Sequence, residues 1–113
     1  MSSPDPTTVD LDEVRTLLHA NAAILVDVRE QHEWDAGHAA EAVHMPLREL
    51  DAAALPPGTQ IIITCRSGGR GTRATAALIE AGLPARNLTG GMRRWQSAGL
   101  PLESADGTPG SVD

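Results

Sequence analysis

The chain has 113 residues, of which 41% are hydrophobic, and a formal net charge of -6 at pH 7, which fits one compact acidic domain. A single cysteine excludes an internal disulfide framework and a metal site built from cysteines alone, and it suits a reducing compartment. The acidic balance argues against nucleic-acid binding, and no apolar stretch approaches membrane-spanning length. We therefore expect a cytoplasmic protein with no nucleic-acid or membrane partner, no metal and no other cofactor.

The hydrophobic pattern predicts strands that alternate with helices. Predicted strands lie at Val9 and at residues 24–28, 42–45, 60–64 and 86–88, and predicted helices lie at residues 11–19, 30–36, 47–55, 72–81 and 92–98. Residues 8–103 form the predicted domain, whereas the polar segments 1–7 and 104–113 are predicted to be flexible. This alternation predicts an α/β fold with a parallel sheet and helices on both faces, in which ligands bind beyond the carboxyl ends of the strands.

The only cysteine, Cys65, lies at one of these strand ends. It follows a β-branched apolar run and precedes a loop rich in arginine and glycine, which leads into the predicted helix at residues 72–81. At such a junction, backbone N–H groups and the helix dipole stabilise a thiolate or a bound anion. Guanidinium groups of Arg66 and Arg70 favour the same charged form, and the thiolate is the nucleophilic form. The sequence therefore predicts a reactive sulfur at Cys65.

Positive charge is concentrated around this cysteine. Residues 61–100 contain six arginines and one acid, Glu80, whereas residues 1–60 contain three arginines and eleven acids. All nine basic residues are arginine, which for the whole chain we interpret as compositional bias. At residues 66 and 70, by contrast, we interpret the arginines as binding an oxyanion through paired hydrogen bonds. The distribution favours a small anionic substrate.

Other polar and aromatic residues are interpreted as structural. Asp27 and Arg29 are expected to form a pair that organises the loops, with Arg29 reaching Glu33. The four histidines show no metal-ligand spacing, and Trp34 and Trp95 are expected to pack in or around the core.

Three motifs, over residues 8 to 103, resemble those of rhodanese domains. They are Asp27-Val28-Arg29 with Glu33-Trp34, Gly37-His38 and Pro46; then Cys65-Arg66-Ser67-Gly68-Gly69-Arg70; then Leu88-Thr89-Gly90-Gly91-Met92 with Trp95, Gly99 and Pro101. Departures from the usual pattern are Ala39-Ala40-Glu41, His44, and Gly71, where serine is common.

This resemblance implies a three-layer fold with a five-stranded parallel sheet flanked by helices, and it implies sulfurtransferase chemistry. In rhodaneses the loop cysteine takes the sulfane sulfur of a donor such as thiosulfate, releases sulfite and carries a persulfide to a thiophilic acceptor. By this resemblance Cys65 is the catalytic residue, and the substrate-binding residues are Arg66, Ser67, Gly68, Gly69 and Arg70. Without a second cysteine the acceptor is external: cyanide, a small thiol, a thioredoxin-like protein or a sulfur-carrier protein.

Two alternatives remain for this site. A cysteine phosphatase or arsenate reductase places arginine six positions after its cysteine, but that position is Gly71 here, and Thr64 replaces the usual preceding histidine. The resemblance to rhodaneses implies that the shorter spacing from Cys65 to Arg70 suits a sulfur atom rather than a tetrahedral phosphate. The other alternative is a relay module that passes persulfide sulfur between partner proteins with little turnover on free thiosulfate, and the sequence leaves this open.

Overall fold

The structure is a computed structural model that describes residues 5–112. Its strands are β1 (Thr8–Val9), β2 (Ala23–Asp27), β3 (Ala42–His44), β4 (Gln60–Thr64) and β5 (Ala85–Leu88). Its helices are α1 (Leu11–His19), α2 (Gln31–Ala36), α3 (Gly69–Glu80) and α4 (Gly91–Ser97), and two 3-10 turns, Leu47–Glu49 and Ala52–Ala54, lie between β3 and β4. Within these described residues, no helix has the length and apolar character needed to cross a membrane.

The five strands form one parallel sheet in the order β1-β5-β4-β2-β3. Strand β4 is thus central, and a central parallel strand is apolar on both faces because helices cover both. Ile61, Ile62 and Ile63 meet that requirement and are fully buried. Cys65 follows this strand directly, so it lies at the carboxyl edge of the sheet.

Alternate side chains of β4 enter two hydrophobic clusters on opposite faces of the sheet. Ile62 belongs to a cluster with Val14 of α1 and Trp95 of α4. Ile61 belongs to the other cluster, which includes Leu78 of α3. Helices on both faces of an all-parallel sheet confirm the predicted three-layer α/β fold.

Two predicted helices differ from those in the structure. The segment predicted as a helix over residues 47–55 forms two separate 3-10 turns, because the Asp51 carboxylate accepts the N–H of Ala53 and starts a second turn. Helix α3 begins at Gly69, three residues before the predicted start. Gly68, at a φ of 129°, turns the chain sharply enough for the helix to begin immediately after it.

Residues 104–112, which belong to the predicted flexible C-terminal segment, contact the rest of the domain in the structure, and their flexibility stays a prediction. Val112 is only 7% exposed and belongs to the cluster beneath α4. Its backbone N–H donates to Oε1 of Gln96 (2.7 Å), and its carbonyl accepts from Nε2 of the same side chain (3.2 Å). Ser111 donates its N–H to the carbonyl of Ala36 (3.0 Å). The polar composition of this segment predicts flexibility. In the structure, the apolar side chain of Val112 and several backbone hydrogen bonds attach the segment to the rest of the domain. Residues 1–4 of the other predicted flexible segment lie outside the described residues.

Candidate active site

The sulfur of Cys65 lies inside the turn that joins β4 to α3. It accepts the backbone N–H of Gly68 (3.0 Å) and that of Gly71 (3.3 Å), and the residue is only 1% exposed. Both donors are held rigidly by the start of α3, so they need no reorganisation when charge develops on the sulfur. This arrangement stabilises a sulfur anion at the N-terminus of a helix.

The first turn of α4 supports the same loop from the other side. Met92 donates its N–H to the Cys65 carbonyl (2.7 Å), and Arg93 donates its N–H to the Arg66 carbonyl (3.0 Å). Such close approach requires Gly91, because a β-carbon there would overlap the Cys65 carbonyl oxygen. The sequence placed Gly91 in the third motif but did not predict this contribution to the site.

Asn87, from β5, fastens the start of α3 and was not predicted as part of the site. Its Nδ2 donates to the carbonyl of Gly68 (3.1 Å) and to Oγ1 of Thr72 (3.2 Å). Its Oδ1 is buried, has no hydrogen-bond partner among the described residues, and lies against Gly71. A side chain at residue 71 would collide with this oxygen, so glycine in place of the usual serine fits its neighbour. The glycine at residue 71, where serine is usual, was the one sequence signal that pointed to the contact with Asn87.

Arg70 forms a bidentate ion pair with Glu33 of α2. Its Nη1 and Nη2 lie 2.6 Å from Oε1 and 2.9 Å from Oε2 of that carboxylate. These hydrogen bonds lower the pKa of Glu33 to about 2. They also raise the pKa of Arg70, with a smaller contribution from the Cys65 sulfur. The predicted anion-binding residue therefore already holds a carboxylate.

Arg29 does not reach Glu33 as predicted, because Asp27 binds it instead. Its Nε and Nη2 bind the Asp27 carboxylate at 2.8 to 3.0 Å, and Nη2 also donates to the carbonyl of Gly37 (2.7 Å). Both side chains are 1% exposed or less. The structure therefore confirms Asp27 and Arg29 as a buried pair that joins the end of β2 to the end of α2.

The remaining predicted loop residues differ in their exposure to solvent. Ser67 and Gly69 are exposed at the outer rim, whereas Arg66 is half-buried. The backbone N–H groups of Ser67, Gly69 and Arg70 have no acceptor within residues 5–112. Behind the loop is a cavity of about 10 Å³, which is lined by Arg29, Glu33, Ala36, Arg66, Ser111 and Val112.

Trp34 of α2 is stacked between two histidines rather than packed into the core. The ring centroid of Trp34 lies 3.7 Å from that of His38 and 4.7 Å from that of His44, and both pairs are close to parallel. His38 donates from Nδ1 to the Trp34 carbonyl, and His44 donates from Nε2 to the Arg29 carbonyl, each at 2.8 Å. The stack fixes α2, and thereby Glu33, beside the Cys65 loop.

Comparison with known proteins shows the family to which the chain belongs. The family model of the rhodanese-like domain matches residues 10–98. The chain is 33% identical, over 99% of its length, to the uncharacterized protein slr1261 of Synechocystis sp., of which it spans 65%. It is 31% identical to thiosulfate sulfurtransferase 18 of Arabidopsis thaliana, over 90% of this chain and 87% of that protein. The solved structure of the human single-domain sulfurtransferase TSTD1 is similar with a TM-score of 0.74 and 30% identity, covering 82% of this chain and 97% of that one. In sequence and in fold, this chain belongs to the family of rhodanese-like domains.

Proposed function

We propose that the protein is a sulfurtransferase that moves a sulfane sulfur from a small anionic donor, such as thiosulfate, to an external acceptor through a persulfide on Cys65. The observation that carries this proposal is the position of the Cys65 sulfur, which accepts the N–H groups of Gly68 and Gly71 in the turn before α3. The thiosulfate sulfurtransferase relative supports the choice of donor. The lone thiol suits a reducing compartment such as the cytoplasm.

In the first half-reaction the Cys65 thiolate attacks the sulfane sulfur of thiosulfate. A new S–S bond forms to Sγ, the bond between the two sulfurs of thiosulfate breaks, and sulfite leaves with the electron pair of that bond. The persulfide keeps one negative charge on its outer sulfur. The N–H groups of Ser67, Gly69 and Arg70, which have no acceptor in the described part of the chain, are suited to stabilise it.

In the second half-reaction the acceptor attacks the outer sulfur and releases the Cys65 thiolate. Cyanide would leave as thiocyanate, and a thiol would leave as a new persulfide. Cys65 is the only cysteine, so no second thiol of the same chain resolves the persulfide. The acceptor is therefore cyanide, a small thiol or the thiol of a sulfur-carrier protein.

Intact-mass measurement after incubation with thiosulfate tests the first half-reaction. We expect the wild-type protein to gain the mass of one sulfur atom and the Cys65→Ser variant to gain none. A matched control carries Ser97→Cys in the Cys65→Ser background, which moves the only thiol to an exposed position on α4. Equal sulfur addition to this control, or none to the wild type, would overturn the proposal.

A relay between partner proteins is the second candidate function. The ion pair between Arg70 and Glu33 favours it, because a carboxylate occupies one of the two guanidinium groups predicted to bind a free dianion. Steady-state assays with thiosulfate separate the two candidates: fast turnover with cyanide or a small thiol supports the enzyme. Stoichiometric loading of Cys65 with very slow release to small acceptors supports the relay.

A further inference from the structure

We propose that Glu33 is a specificity-determining residue, which makes the site favour sulfur donors with one negative charge over donors with two. The preferred class would be alkanethiosulfonates and the persulfides of uncharged thiols, with thiosulfate a poorer donor. This inference rests on the proposed function, because it concerns the donor that loads Cys65.

The first step of the argument is the geometry of the ion pair. Glu33 binds both terminal nitrogens of Arg70, at 2.6 and 2.9 Å, and its side chain is 14% exposed. The pair therefore contributes no net charge, and one edge of the guanidinium is used. A donor that binds the N–H groups left on Arg70 also meets the neighbouring carboxylate.

The second step is that Glu33 is held in place and stays ionised. Its Oε1 also accepts the N–H of Glu30 (3.0 Å) in a capping box at the start of α2. The hydrogen bonds from Arg70 keep the Glu33 pKa near 2, so the carboxylate is charged at every pH at which the protein would work. The negative charge is thus a fixed part of the site.

The third step is the position of Arg70 relative to the reacting sulfur. Arg70 directly precedes Gly71, whose backbone N–H binds the Cys65 sulfur at 3.3 Å, and the sulfur is one of the smaller causes of the raised pKa of Arg70. A donor whose sulfane sulfur reaches Cys65 therefore brings its negative end close to Arg70 and Glu33. Repulsion from Glu33 grows with donor charge. By contrast, the hydrogen bonds from the backbone N–H groups to the transferred sulfur do not depend on the charge of the leaving group. In a partly solvated site, one unit of charge corresponds to about a tenfold effect.

Two donors that differ by one charge test this inference. Methanethiosulfonate has a methyl group where thiosulfate has a charged oxygen, and both carry a terminal sulfane sulfur. With either donor, the Cys65 thiolate attacks that sulfur and the S–S bond breaks. Methanesulfinate or sulfite then leaves with the electron pair, with no proton transfer and no further reactant.

The readout is kcat/KM for each donor with the wild type, Glu33→Gln and Glu33→Asp. Glutamine keeps the acceptor for the Glu30 N–H but removes the charge, so we expect kcat/KM to rise for both donors, through a lower KM, and to rise about tenfold more for thiosulfate than for methanethiosulfonate. Aspartate keeps the charge and shortens the side chain, so no such gain is expected. The control is Glu13→Gln, which removes a carboxylate paired with Arg86 and should leave both values unchanged.

A measurement on the wild type keeps the inference testable whether or not the variants fold. Sulfate and methanesulfonate are unreactive anions of similar size that differ by one charge. We expect methanesulfonate to inhibit sulfur loading at concentrations no higher than those of sulfate. Inhibition by sulfate at about tenfold lower concentrations would overturn the inference.

The two proposals fail in different ways. If neither donor adds sulfur to Cys65 by intact mass, the proposed function is wrong. If both donors load Cys65 and Glu33→Gln changes kcat/KM for both by the same factor, the proposed function stands and the role of Glu33 in donor selection is wrong.

Discussion

The side chain of Asn87 packs so closely against Gly71 that a β-carbon on residue 71 would collide with its amide oxygen. The same amide donates to the carbonyl of Gly68, and the N–H groups of Gly68 and Gly71 are the two that bind the Cys65 sulfur. Because residue 71 is glycine, Asn87 of β5 can pack against it and fix the turn that holds the Cys65 sulfur.

We expect Gly71→Ala to reduce the free energy of unfolding by about 1–3 kcal/mol, because Asn87 must move or the helix must shift. Urea unfolding measures this change. The matched control is Gly69→Ala in the same helical turn, where no atom lies within 4 Å of the new β-carbon. The control should be neutral or up to about 1 kcal/mol more stable, since alanine favours helix over glycine. Equal effects of the two substitutions would contradict the assigned contact.

Removing Asn87 should relieve the collision. In a double-mutant cycle, Gly71→Ala with Asn87→Ala is expected to lose less stability than the sum of the two single variants, because the second substitution removes the atom that the first would strike. Strict additivity within about 0.5 kcal/mol would show that the two residues do not interact in this way.

The buried pair of Asp27 and Arg29 predicts a larger effect. Arg29→Met leaves a buried carboxylate without its cation, and we expect a loss of about 3–5 kcal/mol in the free energy of unfolding. The control is Arg48→Met, which breaks an ion pair with Glu30. The Arg48 side chain is 65% exposed, so this substitution should lower the free energy of unfolding by no more than about 1 kcal/mol. Similar losses in the two variants would mean that the buried pair adds nothing beyond a surface contact.

The fold was predictable from sequence because most of its strands and helices are determined by nearby residues. Three consecutive isoleucines indicate a strand buried on both faces, and Asp10, a residue type that favours helix starts, caps α1 by accepting the N–H of Glu13. The loop from Cys65 to Arg70 was recognisable for the same reason, since its residues are contiguous.

The partners of that loop were not predictable, because they come from distant parts of the chain. Glu33 is 37 residues from Arg70, and Asn87 is 19 residues from Gly68. Which distant side chain reaches the loop depends on the order of strands in the sheet, which places β2 and β5 on either side of β4. The predicted contact from Arg29 to Glu33 does not form because Asp27 binds Arg29, while the distant Arg70 binds Glu33.

The attached C-terminal segment predicts that Val112 contributes to stability. We expect Val112→Ala to lower the free energy of unfolding by about 1–2 kcal/mol, because it removes two buried carbon groups beneath α4. Gln96→Ala should cost a similar amount, since it removes both hydrogen bonds to the Val112 backbone. The exposed residue Ala105 gives the control: Ala105→Ser should change stability by less than about 0.5 kcal/mol. If Val112→Ala is as neutral as this control, the segment does not pack in solution as it does in the structure.

The low pKa of Glu33 predicts a stabilising contribution that depends on pH. Its pKa is about 2 in the folded protein and 4.5 without these contacts, so the unfolded chain binds the proton more tightly. Above pH 4.5 both states are ionised and the contribution is complete; as the pH falls from 4.5 toward 2 it is lost. We expect it to be about 1–3 kcal/mol near pH 7, measured as the difference in urea unfolding free energy between wild type and Glu33→Gln.

This difference should shrink progressively once the pH drops below 4.5, because the unfolded wild-type chain then takes up a proton that the folded protein does not. Using the difference between two variants removes the effects of the other carboxylates, which are common to both. Glu13→Gln, which removes a half-exposed carboxylate paired with Arg86, should differ from the wild type by less than about 1 kcal/mol at neutral pH. A difference for Glu33→Gln that stays constant from pH 7 to about pH 3 would contradict the proton linkage, because a constant difference requires the same Glu33 pKa in both states.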